Sequence, residues 1–145
     1  MSSKIVVGID GDGSGERAVA YATKLAKLIG SCEVILVYVI EWSPYKFQTA
    51  EENALRHKRR EEEIELATTR VVAPAVKSVE AEGLTVRGIV RHGDVASLID
   101  KVAQDERADQ IVVGRSSEGG FAQRLFGTAT ASLVMHASVP VTVVG

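Results

Sequence analysis

The stretch KIVVGIDGDGSGERAVAYATKLAKLI, Lys4 to Ile29, decides the fold class. It opens with an apolar run of strand length, passes through the glycine-rich turn Asp10 to Gly15, and then places Ala18, Ala22, Leu25 and Ile29 at helical spacing. Further apolar runs follow: EVILVYVI from Glu33, LTVRGIVR from Leu84, DQIVVGR from Asp109 and VPVTVV from Val139. Between them the helical spacing returns at Ile64, Ala67 and Val71, and again at Val95, Leu98, Ile99 and Val102. Strand alternating with helix predicts an α/β fold, an open doubly wound parallel five-stranded sheet with helices on both faces.

The order of the strands follows from which runs are continuous. Runs one, two and four are apolar throughout, as strands covered on both faces must be. Run three interleaves Thr85, Arg87 and Arg91 with Leu84, Val86 and Val90, and run five is short and carries Pro140, so both suit sheet edges. The order 3-2-1-4-5 satisfies this. It reverses direction between strands one and four, and ligands of such sheets bind outside the carboxyl ends at that reversal. The glycine-rich turns after strands one and four therefore face one pocket.

Composition narrows the setting. The chain has 145 residues, 46% of them hydrophobic and 25% charged, which suits one domain spanning 1–145. Its net charge of −2 offers no basic excess for nucleic acid. No apolar run approaches the roughly 20 residues needed to span a bilayer, so no membrane partner is expected. A lone cysteine, Cys32, and an opening MSSKIVVG without a leader pattern lead us to expect a cytoplasmic protein.

Known motifs do not fit the first turn. A calcium loop beginning at Asp10 would place Tyr21 where a bidentate carboxylate is required, and a strand rather than a helix precedes it. A dinucleotide fingerprint through Gly11 and Gly13 would need glycine where Glu16 stands, and the lysine of a P-loop is missing. What remains is a strand-to-helix turn with Ser14 as a capping residue and Asp10 one residue past the strand, placed to accept hydrogen bonds from a ribose or base, or from the helix N-terminus. The second turn, VGRSSEGGFAQRLFGTATASLV, sets Gly114 at a strand end and Gly127-Thr128 immediately before an expected helix start, where backbone N–H groups cradle phosphate. Thr128 and Thr130 add hydroxyls, Arg115 and Arg124 add positive charge, and Glu118 opposes them.

These residues resemble the universal stress protein family, whose nucleotide-binding members carry glycine, two residues, glycine, nine residues, then Gly-Ser or Gly-Thr. Gly114 matches the first glycine, Gly127 the last and Thr128 the hydroxyl residue; IVVGID, VYVIE, HGD and SVPVTVV also fall where similar family segments do. Ser117 stands in place of the second glycine, and its Cβ restricts both positive φ and close approach to phosphate, although its hydroxyl can donate to one. The resemblance implies binding of ATP, with Mg²⁺, or of a related adenine nucleotide. It further implies that Asp10 meets the ribose or adenine side, that the Val39 backbone reads adenine, and that Gly114, Arg115, Ser116 and Ser117 with Gly127, Thr128, Ala129 and Thr130 hold the phosphates. It implies a stress-response role and a homodimer, for which the apolar edge of run five is the expected contact.

Two other readings stay open: a member that dimerises and signals without nucleotide, and a slow ATP hydrolase. Neither Ser116 nor Cys32 has a base nearby in sequence, so no catalytic residue is assigned. His92 and His136 have no second ligand at metal spacing. Trp42, Tyr45 and Phe47 follow strand two near the expected adenine end, where packing on neighbours is a simpler role than a lid. The run EENALRHKRREEEIE mixes charges at helical spacing and reads as a solvated helix face. Pro74 should kink or break, just before it, the helix running toward Glu82.

Overall fold

The computed structural model describes residues 3–10, 13–41, 50–115 and 121–145. The five apolar runs form β1 (Ser3–Ile9), β2 (Cys32–Glu41), β3 (Thr85–Gly93), β4 (Gln110–Gly114) and β5 (Val141–Val144). They make one all-parallel sheet in the order β3-β2-β1-β4-β5, with β1 in register through Val6↔Ile35 on one side and Val6↔Ile111 on the other. The expected edges are the edges. β3 shows exposed Thr85, Arg87 and Arg91, while Ile5, Val6, Val7 and Val34 to Val37 are fully buried in the centre. Arg87 uses its exposed position as a clasp, holding Glu33 at 3.1 Å and also pairing with Glu106, which Lys4 approaches at 3.7 Å.

Helices cover both faces. α1 (Gly13–Ile29) lays Ala18, Ala22 and Ala26 on Ile5, Val7, Val34 and Leu36. On the same face lie α2 (Ala50–Ala67), a π-helical turn at Thr68–Val72 and α3 (Ala73–Glu80), of which Val72 and Val79 enter the core. On the other face, α4 (Val95–Asp105) and α5 (Phe121–His136) pack Ile99, Val102, Ala103 and Leu133 against Val6, Ile35, Val37, Ile111 and Val113. Small alanines on α1 let that helix sit close to the sheet. Gly8 does the same for α4, since a Cβ there would stand 2.9 Å from Ile99 Cδ1.

Before Pro74 the helix does not break but passes through the π-helical turn, with helical dihedrals at Val72 and Ala73. Thr68 and Thr69 donate their hydroxyls to the carbonyls of Ile64 and Glu65 at 2.7 and 2.9 Å, competing with the backbone ladder. The Ala73 N–H reaches back to the Thr68 carbonyl, and Pro74 then enters the first turn of α3, where its missing N–H costs nothing.

One boundary differs from expectation. α5 starts at Phe121, so Gly127 and Thr128 lie inside the helix rather than at its start. The intervening Phe-Ala-Gln-Arg-Leu-Phe holds no breaker and several strong helix formers, which outweigh the single interior glycine.

Candidate functional site

The reversal in strand order falls between β1 and β4, and the carboxyl ends of those strands carry Asp10 and Gly114-Arg115. Asp10 is half-buried. Its Oδ1 accepts the Gly15 N–H at 3.1 Å, so the carboxylate holds the first turn of α1 and adds favourable charge at the positive end of the helix. Gly15 is required for that approach, because a Cβ there would lie 2.7 Å from Asp10 Oδ1 and 3.0 Å from the Asp10 backbone N. The structure thus gives Asp10 the capping role and leaves it facing the mouth of the sheet.

β2 supplies the neighbouring wall. Its register with β1 ends at Ile9↔Tyr38, whereas its pairing with β3 continues through Val39↔Arg91, Ile40↔His92 and Glu41↔Gly93. On the β1 side the Val39 N–H is taken up by the last pair of that ladder, so the backbone of β2 outruns its partner from the Val39 carbonyl onward. The Val39 side chain packs into the core with Ile89 and Val95, leaving its backbone as the group at the mouth. Burial raises the Tyr38 phenol pKa, and the charge on Asp10 pushes it further the same way.

At β4, Gly114 is buried and pairs with Val144, and the Arg115 N–H donates to the Val144 carbonyl at 2.6 Å. Arg115 itself is exposed, and its carbonyl accepts from Arg17 Nη2 of α1 at 3.4 Å. Two guanidinium-bearing residues therefore meet at the end of β4. Across the sheet, Ala129 is buried, and the Thr130 hydroxyl is buried with no hydrogen-bond partner among the described residues. Ser116 and Ser117 lie outside the described residues, as do Trp42, Tyr45 and Phe47; for Gly127 and Thr128 the structure describes the helical backbone alone.

Arg17 and Tyr38 escaped the sequence reading. The only signal for Arg17 was its place in the first turn of a helix leaving the glycine-rich loop, and Tyr38 was hidden in a strand read as core. Elsewhere, His92 lies 3.5 Å from Glu63 of α2, and no group of three metal-ligating side chains occurs among the described residues. A cleft of about 730 Å³ opens on the flank between α1 and α3, lined by Gly15, Val19, Lys24, Arg70, Val71 and Pro74. It touches the back of the Asp10 turn and does not lie between the β1 and β4 loops.

Comparison with known proteins adds the family. The model of the universal stress protein family matches residues 1–145. The chain belongs to the universal stress protein family. It is 36% identical over 150 residues to a universal stress protein of Mycolicibacterium smegmatis, covering 97% of this chain but 47% of that one. It therefore spans about half the length of that relative. A universal stress protein of Methanocaldococcus jannaschii is 30% identical over 145 residues, with 99% of this chain and 82% of that one covered. The solved universal stress protein UspA of Lactobacillus plantarum matches with a TM-score of 0.82 at 19% identity, covering 99% of this chain and 97% of that one, and shares the fold. Two further solved members match with TM-scores of 0.67: one in complex with cAMP, at 22% identity over 99% of this chain and 97% of its own, and one from Arabidopsis thaliana with AMP bound, at 19% identity over 98% and 90%. Among the described residues no helix is long and apolar enough to cross a membrane.

Proposed function

We propose that this universal stress protein family member binds ATP, with Mg²⁺, or a related adenine nucleotide, across the carboxyl ends of β1, β2 and β4, and that it acts in the cytoplasm as a regulatory homodimer in stress response. The observation that carries the reading is the convergence at the strand-order reversal of Asp10, the β2 overhang at Val39, and Gly114-Arg115 with Arg17 beside it. That set supplies a carboxylate acceptor for ribose hydroxyls, a backbone carbonyl at Val39 for the amino edge of adenine, and positive charge for phosphates. Relatives that hold cAMP and AMP on the same fold support an adenine nucleotide.

The phosphate end of the proposal has a structural condition. In an α-helix the N–H groups of Gly127 to Thr130 point to carbonyls four residues back, so they can cradle phosphate only if α5 unwinds from Phe121 to Gly127. Gly127 is where unwinding is cheapest, as glycine costs about 1 kcal/mol relative to alanine inside a helix. Once unwound, Gly127 and Thr128 stand at a helix start, and the Thr130 hydroxyl gains an acceptor it lacks among the described residues. The same helical run through Gly127, with Ser117 in place of glycine, favours the second reading, a dimer that signals without nucleotide.

The dimer rests on β5. The Pro140 and Val144 carbonyls accept from Ile111 of β4 and from Arg115 just past it, so the even-numbered backbone groups face inward and Val141 and Val143 present theirs at the outer edge. Val143 is also 39% exposed, an apolar edge suited to an antiparallel mate. Isothermal calorimetry with ATP and Mg²⁺ tests the binding claim: saturable heat is expected, and none up to millimolar ATP leaves the nucleotide-free dimer.

A further inference from the structure

We infer from the structure that α2 is a second self-association surface, pairing antiparallel with α2 of another copy of this chain. At about 100° per residue, Leu55, Arg59, Glu62 and Leu66 fall within a sector of about 60° on α2. Half-buried Arg60 and Ile64 and buried Ala67 mark the opposite side, which faces the body. The stripe is therefore turned to solvent. Leu55 and Leu66 are 52% and 50% exposed, and among the described residues neither Arg59 nor Glu62 has an ion-pair partner.

The order Leu-Arg-Glu-Leu is self-complementary about a twofold axis between Arg60 and Glu61. Run antiparallel, Leu55 of each chain meets Leu66 of the other, and Arg59 meets Glu62, twice per pair. A parallel pair would instead set Arg59 against Arg59 and Glu62 against Glu62, which like-charge repulsion disfavours. A charged partner of another kind would match one half of the stripe and repel the other, whereas a second copy matches both.

Helix stability points the same way. From Ala50 to Arg59 every residue whose side chain is described is exposed, so none of these side chains is held by the core. Isolated helices shorter than about 12–15 residues are marginal in water. Pairing gives this arm apolar contact at both ends and ion pairs at its centre. The contact is small, so the association is weak, concentration-dependent and sensitive to salt.

Charge-swap sedimentation velocity on the whole chain tests this. Arg59→Glu and Glu62→Arg each place like charges across the axis and should weaken the α2 step by about a factor of 10 or more. An equimolar mixture of the two should restore it, because the glutamate introduced in one chain then meets the arginine introduced in the other, and the double variant should restore it alone. Raising NaCl to about 0.5 M should weaken the wild-type step. In a Val143→Pro background, where pairing through β5 is lost, the single variants, their mixture and the double variant should keep the same ranking, which separates the α2 step from pairing through β5, and unchanged thermal midpoints establish that the variants fold. A wild type with no such step at about millimolar concentration, single variants that associate like wild type, or a mixture no better than its components overturns the proposal.

Discussion

Gly15→Ala strikes at a contact that holds both the start of α1 and Asp10. The new Cβ would stand 2.7 Å from Asp10 Oδ1 and 3.0 Å from the Asp10 backbone N, and the second of these is main chain that cannot swing aside. Expelling the carboxylate forfeits the 3.1 Å bond to the Gly15 N–H, a capping interaction of about 1 kcal/mol. Accommodating the methyl against the backbone costs about 1–3 kcal/mol more, and the better helix propensity of alanine returns about 1 kcal/mol. The net loss is about 2 kcal/mol, a fall of about 4–8 °C in Tm for a chain of this size. Nucleotide affinity should fall with it, since Asp10 is moved from the mouth. Urea denaturation of Gly15→Ala, Asp10→Ala and the double variant checks the reasoning: the double should lose less than the sum of the singles, because the carboxylate part of the clash is gone. A Gly15→Ala variant as stable as wild type, or more stable, would refute it.

Gly88→Ala should destabilise by about 1–3 kcal/mol in the same assay, as its Cβ would lie 2.1 Å from Val72 Cγ1, and Val72→Ala should recover part of the loss when combined with it. Val143→Pro should dissociate the β5 dimer in light scattering without lowering Tm, while Thr142→Pro, whose N–H faces β4, should lower Tm; the opposite pattern would contradict the edge assignment. Gly127→Ala should strengthen α5 and weaken ATP binding, read by calorimetry, whereas Ser117→Gly should strengthen binding if the Cβ obstructs phosphate. The acid limb of stability should flatten in Asp94→Asn and Asp100→Asn. The Ser97 hydroxyl and N–H hold the Asp94 carboxyl below its usual value; for Asp100, burial pushes upward but is outweighed by the N–H and hydroxyl of Ser138 and the Gln104 amide. A carboxylate depressed in the folded state stabilises at neutral pH, and that contribution disappears as pH falls from 3.8 through the folded pKa, which urea midpoints across that range would register.

The sheet was legible because continuous and interleaved apolar runs report directly on burial. Val6, Ile35 and Ile111 had to be central, and Arg87 and Arg91 could only lie on an edge. Strand ends alone placed Asp10 and Gly114 at the strand-order reversal, whereas Val39 was implied only by the family resemblance. Side-chain reach was not encoded in local pattern: Arg17 meets Arg115 across 98 positions of sequence, and Tyr38 senses Asp10 only because β1 and β2 are in register. The start of α5 was misjudged because glycine signals a boundary only when its neighbours are poor helix formers, and the six residues before Gly127 are not. The charges of α2 read as a solvated face, since mixed charge at helical spacing does not tell which side of the helix the body covers.

Amide chemical shifts followed during titration with ATP and Mg²⁺ test the central claim most directly, because they report both whether and where nucleotide binds. Saturable shifts concentrated at Asp10 and Gly15, Val39 to Glu41, Gly114 to Ser117 and Gly127 to Thr130, with lost helical character from Phe121 to Gly127, are predicted. An unchanged spectrum at millimolar ATP, or shifts confined to the cleft of Lys24, Arg70 and Pro74, would contradict it.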